Sequence, residues 1–164
     1  MKIHAAVIVL AAGILMSDAQ GGFAQDVSTY PTNTAVLPGK GPAAKWSGLP
    51  KAWADCHTRW AATAANDKDG VVFLGDSITE LWKTQSQEFP GLKVVNRGIS
   101  GDTTRGVLYR LDSDVLSLDP RAIVLLIGTN DIGAGADPAD ISDNIKDILR
   151  RIRKKCPEIP IIVC

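Results

Sequence analysis

With 164 residues, 45% of them hydrophobic and 22% charged, the chain has an ordinary globular composition and length enough for one buried core and one domain. Eighteen Lys plus Arg balance eighteen Asp plus Glu, so no net field draws the chain to nucleic acid or to an anionic membrane. A small neutral molecule is the partner this balance favours; two histidines and three scattered cysteines build no metal-ligand spacing, and no organic cofactor is implied.

Met1, Lys2 and a mostly apolar run from Ile3 to Met16 open the chain. The run is shorter than the roughly 20 residues a membrane-crossing helix needs and has the form of a signal-peptide h-region. Gly22-Phe23-Ala24 offers a cleavage site and Ala19 a competing one, so residues 1–24 read as a signal peptide. Export to a periplasm or the cell exterior, with no stable membrane span, follows. In such a compartment Cys56, Cys156 and Cys164 make an odd set; a Cys56 to Cys156 bridge and a merely buried thiol both stay open.

From Gln25 to about Lys45, Pro, Gly, Thr and Ala follow one another without periodicity, the pattern of an extended leader with little fixed structure. Trp46, Leu49, Trp53, Cys56, His57 and Trp60 then recur at helical spacing, with Pro50 confined to the first turn. Leader and helix together occupy residues 25–66. Burial explains three tryptophans on one face; a platform for stacking sugars is the functional alternative.

Beyond Gly70 the pattern alternates strand, turn and helix. Val71 to Leu74 is a short apolar run closed by Gly75, the form of a parallel-sheet strand covered on both faces. A helix is expected from Thr79 to Glu88, stopped by Pro90 and Gly91. Lys93 to Asn96 reads as a second strand, Thr103 to Leu111 as a helix capped by Asp102, and Ala122 to Ile127 as a third strand. Asp137 and Pro138 open a helix whose apolar stripe is Ile141, Ile145, Ile148, Leu149 and Ile152. Its basic end, Arg150 to Lys155, answers the helix macrodipole and solvates an outer face. Pro157 ends that helix, and Ile159 to Cys164 reads as another buried strand. Such alternation implies right-handed crossovers and a three-layer α/β/α sandwich.

Ligands of an open parallel sheet bind beyond the carboxyl ends of its strands. Three turns lie there: Gly75-Asp76-Ser77-Ile78, Gly98-Ile99-Ser100-Gly101-Asp102 and Gly128-Thr129-Asn130-Asp131. A serine on a tight strand-to-helix turn projects its hydroxyl from the sheet, which suits Ser77 to nucleophilic attack. Gly101 lets backbone approach a ligand and present its N–H, and Asn130 offers a side-chain amide. Three such donors around one oxygen stabilise the oxyanion formed when a serine attacks an ester carbonyl. Each turn alone also reads as a loop with a helix cap; their joint occurrence in this order carries the weight.

Together with Asn96-Arg97 and Thr103-Thr104, which flank the second turn, these segments resemble the first three sequence blocks of the SGNH (GDSL) hydrolases, and the second block resembles the platelet-activating-factor acetylhydrolase branch. The resemblance runs from about Val71 to Cys164. It implies a parallel, flavodoxin-like sheet, and an esterase acting through an acyl-enzyme on acetyl or short-chain acyl esters of a carbohydrate or lipid. It makes Ser77 the nucleophile, and the Ser77 N–H, the Gly101 N–H and the Asn130 side chain the oxyanion hole. Gly75, Asp76, Gly98, Asp102, Gly128 and Asp131 support the motif, with Asp76 shaping the turn. The family's last block, an Asp-x-x-His that supplies the base and its orienting acid, has no counterpart after Asn130. Residues 67–164 are therefore expected to be a C-terminally incomplete esterase domain, with doubtful activity of its own. A non-catalytic module that binds acylated carbohydrate is the alternative.

Overall fold

The computed structural model describes residues 27–164, so the segment expected to be a signal peptide, and His4 with it, lie outside the described residues. Four short apolar runs form strands: β1 (Val71–Gly75), β2 (Val94–Gly98), β3 (Ala122–Leu126) and β4 (Ile161–Val163). All pair in parallel, in the order β2-β1-β3-β4. Parallel neighbours cannot be joined by hairpins, so helices carry the crossovers. A first helix, α1 (Leu49–Asp67), precedes the sheet. Helices α2 (Ser77–Leu81) and α3 (Gln85–Glu88) lead from β1 to β2, α4 (Thr104–Asp114) leads to β3, and α5 (Thr129–Gly133) with α6 (Pro138–Lys155) leads to β4. The chain leaves β1 toward β2 and then returns past it to β3, which puts the reversal of strand order at β1 and β3. Crevices for ligands open at the carboxyl ends of such a pair.

Alternation within the strands separates two faces. Val72, Leu74, Val95, Ile123 and Leu125 bury against Val107, Leu108 and Leu111 of α4 and Ile148 and Ile152 of α6. On the other face Phe73 meets Trp82 edge-on and packs beside Phe89, so α2, α3 and the residues around them cover β1 and β2. Helices on both sides of a parallel sheet give the expected α/β architecture.

A second core joins Tyr30, Leu37, Ala43 and Ala44 of the leader to Leu49, Trp53 and Cys56 of α1 and to Ile99. The leader is irregular apart from a 3-10 turn at Thr34–Val36, yet it is packed, against the expectation of little fixed structure. Arg105 is the reason. Its guanidinium donates to the carbonyls of Thr34, Leu37, Pro38 and Gly41, backbone acceptors that composition alone does not reveal as partnered.

Other boundaries move for local reasons. Trp46 stands ahead of α1, not on it, because the helix starts after Gly48 with Pro50 in its first turn. The helix expected over 79–88 is two short ones: the Asn96 side chain takes the Thr79 carbonyl at 2.6 Å and Lys83 Nζ takes that of Glu80 at 2.7 Å. With those acceptors in use, and Trp82 turned into the Phe73 cluster, the first helix stops. Thr103, not Asp102, caps α4, its hydroxyl accepting from Gly106 N at 3.2 Å. The strand expected to be buried at 159–164 is β4, which pairs only with β3 and leaves Ile162 and Val163 about half exposed. No bridge joins Cys56 and Cys156: all three thiols are free, Cys56 in the core of the leader and Cys156 against the sheet core. Among the described residues no helix is long and apolar enough to cross a membrane.

Candidate active site

The strand ends lie level, Gly75 opposite both Gly98 and Leu126, so the three turns after them begin side by side. Turns one and two touch directly. Ile99 N donates to the Gly75 carbonyl at 3.1 Å, and Gly98 lies so close to turn one that a Cβ there would meet Asp76 O at 2.7 Å and the Glu80 amide. Asp76 Oδ1 accepts from Ile78 N at 2.9 Å and so caps α2, which begins at the half-buried Ser77. Burial raises the Asp76 carboxyl above its ordinary value, outweighing the backbone hydrogen bonds that stabilise its anion.

Turn two is pinned by a buried charge pair. Asp102 Oδ2 accepts from Arg110 Nε at 2.7 Å with both side chains fully buried, and Asp102 Oδ1 accepts from Thr103 N at 2.9 Å. Arg110 Nη2 also donates to the carbonyls of Gly75 and Arg97, at 3.2 and 2.9 Å, which ties the turn to the ends of β1 and β2. Burial pushes the Asp102 carboxyl up to about 6 even though the Arg110 guanidinium pulls the other way. From the other side, Glu80 Oε2 accepts from the Ser100 amide at 2.7 Å and its hydroxyl at 2.6 Å. Burial raises Glu80, but hydrogen bonds from Ser100 and Arg59 outweigh it and leave the carboxyl below its usual range. Gly101 follows at φ +84°, a conformation that favours glycine.

Turn three closes on turn two. The Asn130 side-chain amide donates to the Asp102 carbonyl at 2.8 Å, and the buried Asp131 carboxylate accepts from both the amide and the hydroxyl of Thr104. Gly101 and Asn130 consequently line one cleft of about 490 Å³, whose other walls include Pro42 to Trp46, Gly133 and Ala134. Ser77 stands on the turn packed against the start of turn two, at the same edge of the sheet. The remaining motif residues frame these turns: Gly75 and Gly98 end their strands, and Gly128 precedes α5 at φ +121°. A hydroxyl, a backbone N–H at a positive-φ glycine and a carboxamide are the groups that acyl transfer uses.

Sequence reasoning passed over Arg110 and Glu80, and it read Trp46 only as part of a helical stripe, core or sugar platform, without placing it beside Gly101. Arg110 had a readable signal: in α4 it falls on the buried face with Val107, Leu111 and Asp114, four residues before an acid. His57 is elsewhere, in a second cleft with Trp60, Arg97, Ser113 and Asp114, where its Nε2 lies 3.6 Å from Asp114 Oδ2.

Residues 73–164 match the model of the GDSL-like lipase/acylhydrolase family. The chain belongs to this family. Among relatives of this family member, human platelet-activating factor acetylhydrolase IB subunit alpha1 is 31% identical over 118 residues, covering 68% of this chain and 49% of that one. The alpha2 subunit of Rattus norvegicus is 33% identical over 115 residues, with the same coverage of 68% and 49%. The chain thus spans about half the length of the curated relatives it matches. A GDSL-like lipase from Bacteroides thetaiotaomicron superposes with a TM-score of 0.55 at 28% identity, over 65% of this chain and 56% of that one. A protein of Streptococcus pneumonia gives 0.62 at 29% identity, over 70% and 55%.

Proposed function

We propose that the protein hydrolyses carboxylic esters with a small acyl group, acetyl foremost, through an acyl-enzyme on Ser77. The single observation behind this reading is the mutual clasp of the three turns, Gly75 to Ile99, Asp102 to Asn130 and Thr104 to Asp131, at one edge of a parallel sheet. In this reading Ser77 Oγ attacks the carbonyl carbon. The oxyanion is met by the N–H groups of Ser77 and Gly101 and by the Asn130 amide, whose second N–H is left for substrate once the first holds Asp102 O. Membership in an acylhydrolase family and similarity to platelet-activating factor acetylhydrolase subunits support the acetyl preference. Asp76 sets the turn through Ile78 N and takes no proton from substrate.

A serine hydroxyl needs a base at neutral pH. Histidines occur in the sequence only at 4 and 57. His57 lines the other cleft beside Asp114, so it does not serve Ser77. These 164 residues by themselves are accordingly proposed to acylate slowly, on the strength of the oxyanion donors, which can sustain a residual acceleration of about 10³ to 10⁴ over water. The apolar segment after Lys2 supports export.

The test is intact-mass measurement after incubation with p-nitrophenyl acetate. A single acetyl adduct on Ser77, absent from Ser77→Ala, is expected. Equal release of p-nitrophenol by the two proteins removes Ser77 from the mechanism and favours a binding module.

A further inference from the structure

Trp46 and Trp53 differ in a way that burial alone does not explain. Trp53 is 0% exposed, as a core tryptophan should be, whereas Trp46 is 50% exposed and yet fixed in place. A Cβ at Gly48 would meet its ring at Cε2, 2.7 Å away, and one at Gly101 would meet Cε3 at the same distance. The indole is therefore seated between two glycines, one of them the glycine proposed to bind the oxyanion, with half its surface left to solvent.

The segment that carries it is anchored to the same site. Asn144 accepts from Lys40 N at 2.8 Å and donates to Lys40 O at 3.0 Å and to Thr104 Oγ1 at 2.8 Å; Thr104 is in turn held by Asp131, the neighbour of Asn130. Arg105 fixes the residues just before, through Pro38 O and Gly41 O. Ala43 and Ala44 are buried, so the stretch from Pro42 to Trp46 forms a firm wall of the cleft. Among the described residues lining that cleft, Lys45 is the one charged side chain and none is a carboxylate. An anchored, half-exposed indole beside small apolar residues suits a flat uncharged ring, whose apolar face stacks on the aromatic system.

Resting on the ester-hydrolase reading, we infer that Trp46 is the substrate platform of this site and takes the ring of the ester's alcohol portion, a pyranose or an aryl ring, while the carbonyl lies at Gly101 and Asn130. Trp46 is at the solvent-exposed rim, where a departing alcohol must leave. The wall then selects ring-bearing alcohols over short open-chain ones.

The experiment uses the full chain carrying Ser77→Ala, so that esters are not consumed. The Trp46 indole N–H resonance is identified by its loss in Trp46→Phe, and the chain is titrated with phenyl acetate, an acetylated methyl pyranoside and ethyl acetate. Saturable shifts of that resonance with a ring ester and none with ethyl acetate are expected; the tighter ring ester identifies the alcohol class. Trp46→Ala should weaken ring-ester binding about tenfold and Trp46→Phe by less than about threefold. No shift with either ring ester, equal shifts with ethyl acetate, or unchanged affinity in a folded Trp46→Ala overturns the inference. Formation of the acetyl adduct, with release of the alcohol, by the chain with Ser77 intact reports separately on the hydrolase reading. Ring binding at Trp46 without any adduct would sink that reading alone.

Discussion

The cleft lined by Gly101 and Asn130, in the turns after β2 and β3, and the cleft beneath α1 differ both in their side chains and in what surrounds them. The second has Ser113, Asp114 and His57, residue types of a hydrolytic triad. Yet Ser113 Oγ lies 2.9 Å from Asp114 Oδ1 and 3.1 Å from Arg110 O, near the C-terminal end of α4, where backbone carbonyls and not N–H groups are presented. Its acid belongs to a charge network: Asp114 lies within 3.7 Å of Arg110 Nη1, and its backbone carbonyl accepts from Arg97 at 3.0 Å. Ser77 instead starts a helix, on a turn whose strand end is bonded to turn two through Ile99 N and the Gly75 carbonyl, and Gly101 and Asn130 line the neighbouring cleft. On the proposed reading, the comparison teaches that chemistry follows the backbone donors a strand end can collect more than the mere proximity of a serine, a histidine and an acid.

Exchanging the two serines breaks the comparison most sharply. Ser77→Ala should abolish the acetyl adduct from p-nitrophenyl acetate while Ser113→Ala leaves it intact, read by intact mass. Next in size is Arg110→Met, which leaves the Asp102 and Asp114 carboxylates buried without their counter-charge; a loss of about 3–5 kcal/mol in urea unfolding is expected. Asn130→Ala removes one proposed oxyanion donor and should slow acylation by about 10² to 10³, with unfolding measured alongside to account for its bond to Asp102 O.

A pH series sharpens the role of the pinned turn. The Asp102 carboxyl titrates near 6 in the folded chain and near 3.8 otherwise, so the folded state holds its proton more tightly. Between those values the folded state binds more protons, and stability falls as pH rises from about 4 to about 6, then levels off. Measured against Asp102→Asn, whose side chain does not titrate, the wild type should lose up to about 3 kcal/mol across that window. A flat difference from pH 4 to 7 contradicts the shift.

The strands, the order of the turns and the helix over 138–155 were legible because each rests on local pattern: short apolar runs, glycines at strand ends, an Asp-Pro start and a stripe at helical spacing. The packing of the leader was not, because Arg105 and Asn144 reach it from 64 to 104 residues away. The split at Trp82 to Thr84 escaped for the same reason, since the Asn96 side chain that ends α2 comes from the neighbouring strand. The tryptophan stripe misled by its regularity: Trp46 keeps helical spacing with Leu49 and Trp53 but precedes the helix.

By itself the sequence determined that the turns bearing Ser77, Gly101 and Asn130, the residues proposed for the chemistry, would each follow a strand, because turn chemistry and apolar runs are written in neighbouring residues. Only the tertiary structure decided that Asn130 would be oriented by the Asp102 carbonyl, that Arg110 would hold the middle turn to two strand ends, and that Trp46 would stand over Gly101. Those outcomes depend on strand order and on contacts between distant segments, which exist once the sheet has brought the turns together.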